Sequence, residues 1–265
     1  MKLDLAGKVI LVTGASAGIG LATARAFASE GCHVMLCARD EARLSAAAAQ
    51  VAAAATGGEA ATVSCDLRTV DGPERAVEAT VRRFGALDVL VNNAAPNPMG
   101  VFSETPDEAM LASLMGKPIG YARAARAAIP ALRRRGGGVI VNVAGMSAHH
   151  VTHAYAIGTL STTGLHGFTK VLAEELGGEG IRVVSIDPGV TETEHFRTSA
   201  VERLARERGV GREQVLDEFL RTIPLRRFAQ PAEIADAIVF LASARAAYIT
   251  GVSLLVDGGR SRGVL

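Results

Sequence analysis

Lys8-Val9-Ile10-Leu11-Val12-Thr13-Gly14-Ala15-Ser16-Ala17-Gly18-Ile19-Gly20 is an unalternating apolar run that passes straight into a glycine-rich turn. Apolar or β-branched residues at successive positions, rather than at every second one, mark a strand covered on both faces and so a parallel sheet. Gly14, Gly18 and Gly20 omit Cβ atoms where backbone N–H groups must approach a pyrophosphate. The helix that follows directs the positive end of its dipole to the same place. The stretch therefore predicts a dinucleotide-phosphate cradle, with a plain strand-to-helix turn as the simpler alternative.

Working outward, strand-like segments recur at 8–13, 33–38, 61–65, 87–92, 138–144, 181–187 and 252–256, separated by helix-like segments. This alternation predicts an α/β fold: one doubly wound, Rossmann-type domain over residues 1–265, with a seven-stranded parallel sheet flanked by helices and a ligand at the carboxyl ends of the strands. The alanine-rich stretch from Leu44 to Ala55 reads as a helix stopped by Gly57-Gly58. Residues 194–223 form a charged, amphipathic insertion carrying Phe196, Leu204 and Phe219. A substrate lid and a surface decoration both fit that pattern.

The chain has 265 residues, 49% of them hydrophobic, enough for a sizeable core. With 28 basic and 27 acidic side chains, the net charge of +1 gives no reason to expect nucleic acid or a membrane as partner, and the Arg133-Arg134-Arg135 run reads as a solvated helix end. Cys32, Cys37 and Cys65 lie in or beside apolar segments without metal-ligand spacing, which suits reduced thiols in a cytoplasmic protein. No apolar run approaches the roughly twenty residues that span a bilayer, and no leader is read before the first strand.

With these residues in place, the chain resembles the short-chain dehydrogenase/reductase family over essentially its whole length. The phosphate loop has the family spacing TGxxxGxG, with Ser16 and Ile19 inside it. Asp66-Leu67 matches the pair that holds adenine, Asn92-Asn93-Ala94-Ala95 matches the family's NNAG, and Pro188-Gly189-Val190-Thr191-Glu192-Thr193 matches the PGxxxT segment beside nicotinamide. Thr250-Gly251 and Val256-Asp257-Gly258-Gly259 match the closing strand. The resemblance implies cofactor contacts from Gly14, Ser16, Gly18, Ile19, Gly20, Asp66, Leu67, Asn93, Ala94, Pro188, Gly189, Thr191 and Thr193, and a homodimer or homotetramer joined through the long helices after the fourth and fifth strands. After the second strand, Ala38-Arg39 supplies no acid for an NAD ribose but an arginine for the 2′-phosphate of NADP, so NADP is the expected cofactor and NAD the alternative. A surface pair between Arg39 and Asp40 or Glu41 is the simpler reading of that arginine.

The resemblance fails at the catalytic residues. Members reduce carbonyls with a Tyr-x-x-x-Lys pair, a serine and an asparagine, the lysine lowering the pKa of a tyrosine that is otherwise too weak an acid. This chain has no Tyr-x-x-x-Lys. Anchored on Gly167-Phe168-Thr169-Lys170, the alignment puts Gly158 at the tyrosine position, Thr162 at the lysine, Gly145 at the serine and Lys117 at the asparagine.

Three readings follow. In the first, an oxidoreductase uses Tyr155 as acid, about 4.5 Å back along a continuous helix from Gly158 and about 60° around it, with Lys117 supplying the positive charge. Packing of Tyr155 at the helix start and a solvent-facing Lys117 form the bland counterpart. In the second, the proton comes from the loop bearing Ser147, His149, His150 and His153. No carboxylate accompanies these histidines in the sequence, so no metal is expected. In the third, the chain binds cofactor without turnover, as a regulatory or assembly subunit.

Overall fold

The structure is a computed structural model and describes residues 2–94 and 99–263. Seven strands, β1 (Val9–Thr13), β2 (His33–Ala38), β3 (Ala60–Ser64), β4 (Val89–Asn92), β5 (Gly138–Val143), β6 (Ile181–Pro188) and β7 (Ser253–Val256), form one sheet. Its order is β3-β2-β1-β4-β5-β6-β7 and every pairing is parallel. The expected strands are all present, with ends displaced by at most two residues and β2 matching at both ends. The largest displacement is at β4, where the Asp88 side chain accepts the Val9 N–H at 2.9 Å and so stands in for a ladder bond.

Helices α1 (Gly18–Ser29), α2 (Glu41–Ala54), α3 (Gly72–Phe84), α4 (Asp107–Leu114), α5 (Gly120–Arg134), α6 (Ala156–Leu176), α7 (Glu202–Arg208), α8 (Arg212–Thr222) and α9 (Pro231–Ala242) complete the chain. One face of the sheet buries Phe27 and Leu44 from α1 and α2 with Ile234 and Ile238 from α9. The other buries Val77, Leu132, Leu172 and Leu176 from α3, α5 and α6. Both faces are dry, which is why β1 reads as a continuous apolar run. The chain winds outward in both directions from β1 and β4, and a ligand cleft forms at the strand ends where that direction changes.

Between α4 and α5 the helix widens into a π turn, Met115–Ile119, that contains Pro118. Proline lacks the N–H that would close an α-helical bond, and the wider register accommodates that loss. The turn places Lys117 inward. Residues 194–223 fold into a π turn at Phe196–Val201 followed by α7 and α8, and bury Val201, Ala205 and Val215 against Phe196, Leu204 and Phe219. The arginine run is exposed at the end of α5, as expected, with Arg135 reaching the buried Asp88 at 3.0 Å and Arg133 pairing with Glu179. Among the described residues no helix is long and apolar enough to cross a membrane.

Candidate active site

The phosphate loop is built by close approach. Gly14 has φ +64° and a Cβ there would meet Ala94 Cα at 2.9 Å, while a Cβ on Gly20 would meet the Gly14 carbonyl oxygen at 2.2 Å. Any side chain at either position would push the loop off β4. Asn93 braces it by donating from its side chain to the Thr13 and Gly14 carbonyls, both at 3.3 Å, and from its backbone to Thr13 Oγ at 2.9 Å. Helix α1 has Ala17 at its N-cap, with no side-chain cap and no acidic residue in its first turn. Its first N–H groups and dipole are thus left for an external anion, which fits a dinucleotide pyrophosphate.

These residues border a cleft of ≈ 2280 Å³ at the carboxyl ends of the strands, larger than the usual small-molecule pocket of about 300–1,000 Å³. Of the expected site residues, Gly14, Ser16, Gly18, Ile19, Arg39, Asp66, Leu67, Asn93, Ala94, Lys117, Tyr155, Pro188, Gly189, Thr191 and Thr193 all line it, and Gly20 lies behind the loop. Ala95 lies outside the described residues. At one end Arg39 is exposed, and no ion pair joins it to Asp40 or Glu41. Asp66 is held by Arg68, with the closest contact at 2.6 Å, and this pairing keeps its carboxyl below the usual carboxylate range. Thr193 receives the Phe196 N–H at 3.1 Å and so starts the insertion as well as facing the cleft.

At the other end stand the replaced positions. Tyr155 is the N-cap of α6, with φ −134° and ψ 33°, rather than a residue within a continuous helix. From the cap its ring folds back over Gly158, whose Cβ, if present, would lie 2.1 Å from Cε1 and 2.3 Å from Cζ. Thr162 donates to the Gly158 carbonyl at 2.8 Å and accepts from Ser147 at 2.9 Å, and an ideal Cβ on Gly145 would stand 4.0 Å from Thr162 Oγ. Gly145, Gly158 and Thr162 therefore lie together at this end of the cleft.

Lys117 does not reach solvent. It is 8% exposed and donates to the Ala144 carbonyl at 2.5 Å. Burial pulls its ammonium from 10.5 to about 8, with the Asp187 carboxylate opposing the fall. The buried Tyr121 hydroxyl lies 2.9 Å from the Ala94 carbonyl and 3.2 Å from that of Val143, tying the ends of β4 and β5 beneath this site.

The loop histidines separate. His153 lines the cleft beside Tyr155, whereas His149 turns away and meets Asp187 at 2.8 Å. The sequence showed no carboxylate near these histidines because Asp187 arrives from β6, 38 residues on. His166, on α6, binds the same carboxylate at 2.9 Å. Arg203 and Arg260 also line the cleft, the first donating to the Met99 carbonyl at 2.8 Å and the second stacked over Phe219 at 5.3 Å. Sequence reading missed Asp187, His166 and both arginines, which have no local motif.

The family model described as Enoyl-(Acyl carrier protein) reductase matches residues 14–261. L-rhamnose 1-dehydrogenase (NAD(P)(+)) of Azotobacter vinelandii is 36% identical over 258 residues, covering 96% of this chain and 97% of that protein. Human Dehydrogenase/reductase SDR family member 4 is 33% identical over 259 residues, 96% of this chain and 88% of its own. Among solved structures, L-sorbose reductase from Gluconobacter frateurii complexed with NADPH and L-sorbose superposes with a TM-score of 0.93 at 34% identity, each chain covered in full.

Proposed function

The chain belongs to the short-chain dehydrogenase/reductase family of oxidoreductases, and from that premise we propose that it acts on a small carbonyl, alcohol or imine through a divergent catalytic pair, Tyr155 with Lys117. NADPH, when bound, supplies the hydride. The cradle from Gly14 to Ile19 holds its pyrophosphate, Arg39 its 2′-phosphate, Asp66 and Leu67 its adenine end, and the segments at Asn93–Ala94 and Pro188–Thr193 its nicotinamide end. The NADPH in the sorbose reductase complex supports that cofactor choice.

The observation that carries the catalytic assignment is the Tyr155 ring lying in the space of the missing side chain at 158. Its hydroxyl protonates the substrate oxygen or nitrogen during reduction. Lys117, buried in the same cleft, supplies the positive charge that makes a phenol a usable acid near neutral pH. Thr162 and Ser147 are joined to each other and to the Gly158 carbonyl, so they hold the start of α6 rather than replace the missing lysine.

The domain is a single unit in which residues 194–223 serve as a substrate lid. Phe196, Leu204 and Phe219 face the cleft and support that role. Leu160 and Val171 are 57% and 61% exposed on α6, which supports pairing of the long helices in a homo-oligomer. The buried free thiols suit a reducing, cytoplasmic setting.

The test is NADPH and NADH binding followed by turnover on a carbonyl and imine panel for the wild type, Tyr155→Phe and Lys117→Ala. Loss of the proton donor is expected to lower kcat about 10²–10⁴-fold. Unchanged turnover in both variants refutes the pair, and tight cofactor binding without turnover on any substrate favours a cofactor-binding regulator instead.

A further inference from the structure

Three elements bring a nitrogen–oxygen donor set together outside the cleft. His149 comes from the turn after β5, His166 from α6 and Asp187 from β6. Both imidazole Nε2 atoms point at the same carboxylate oxygen, Asp187 Oδ2, at 2.8 and 2.9 Å. All three donor groups lie within 4.8 Å of one another. None of the three lines the cleft that holds Tyr155 and Lys117.

We propose that His149, His166 and Asp187 bind one divalent transition-metal ion of the zinc type. Two imidazoles and one carboxylate are a donor set that suits zinc, cobalt or iron and leaves a coordination position open. The Asp187 side chain is fully buried, while the His149 and His166 side chains are 21% and 20% exposed, so an ion enters from the histidine side and keeps water there. The second carboxylate oxygen accepts the Gly145 N–H at 3.2 Å, the outer hydrogen bond that fixes a ligand's orientation. The imidazole rings are tilted by 43° with centroids 5.1 Å apart, so they converge rather than stack.

Ligand atoms at about 2.1 Å around a tetrahedral ion sit about 3.4 Å apart, so the rings need to withdraw by only about 0.5 Å from their present contacts. The bound ion would tie the turn after β5 to β6 behind Gly145 and Pro188, stiffening the wall of the cleft. The inference is independent of the Tyr155 assignment.

Untagged protein stripped with a chelator and titrated with Co²⁺ or Zn²⁺ provides the test, read by calorimetry and by the visible absorption of bound cobalt. One equivalent is expected, with the intense bands of a four-coordinate cobalt site and a raised Tm. His166→Gln is expected to weaken binding about 100-fold while leaving NADPH affinity unchanged, and Asp187→Asn is expected to remove it. No stoichiometric binding, or equal affinity in His166→Gln, overturns the proposal and leaves two imidazoles donating hydrogen bonds to a buried carboxylate.

Discussion

The ring of Tyr155 occupies the volume that a side chain at Gly158 would take, with an ideal Cβ at 158 only 2.1 Å from Tyr155 Cε1. The two residues are mutually dependent: the glycine makes the space, and the tyrosine at the helix cap turns into it. A Gly158→Ala substitution therefore acts on the tyrosine. The ring is the mobile end of a side chain and can swing aside, so folding survives, and alanine gains about 1 kcal/mol over glycine in a helix. A displacement of about 1 Å at a catalytic group can lower rate about 100-fold. The expected outcome is a Tm equal to or above wild type with kcat reduced about 100-fold, checked by thermal melts and steady-state kinetics side by side.

Lys117 sets the expected pH dependence of activity. Its ammonium titrates at about 8 because burial disfavours the charge. Above that value the Lys117 charge in the cleft it shares with Tyr155 is lost, so under the proposed pairing kcat/KM for reduction is expected to fall with an apparent pKa near 8. Lys117→Met should remove that break together with most of the rate. Lys117→Arg, charged throughout, should restore activity on the alkaline side. A pH profile of all three proteins checks this.

The same lysine gives a signed stability prediction. Its value falls from 10.5 to about 8 on folding, so between those pH values the unfolded chain holds more protons than the folded one. Stability therefore rises with pH across that window, and the burden of the buried charge is fully present below about pH 8. The displacement corresponds to about 3 kcal/mol as an order of magnitude. Lys117→Met should be more stable than wild type at pH 7 and lose this slope, as measured by urea unfolding at several pH values.

Arg39 stands exposed at the cofactor end with no ion pair to its acidic neighbours. A charge-assisted hydrogen bond to a 2′-phosphate contributes about 1.5–3 kcal/mol, so Arg39→Ala should weaken NADPH about 10–100-fold and leave NADH nearly unchanged. Fluorescence titration with both nucleotides checks the ratio, and an unchanged ratio would reassign 2′-phosphate recognition to another residue.

The architecture was legible in the sequence because it rests on local signals. Buried parallel strands announce themselves as unbroken apolar runs, and glycine at 14 and 20 is dictated by backbone approaches that leave no room for Cβ. Gly158 and Thr162 lie one turn apart on helix α6, so their nearness was also legible in their spacing. The π turn that buries Lys117 was less accessible, although Pro118 hints at it.

What this chain's sequence determined by itself is the parallel sheet, the phosphate cradle and the absence of a Tyr-x-x-x-Lys pair, because each depends on residues close together along the chain. Only the tertiary structure decided that Tyr155 leaves the helix to cover Gly158, that Lys117 is buried, and that Asp187 meets His149 and His166. Those relationships join side chains from separate strands and helices, and their distances are set by how the sheet and its covering helices pack, which no spacing along the chain records.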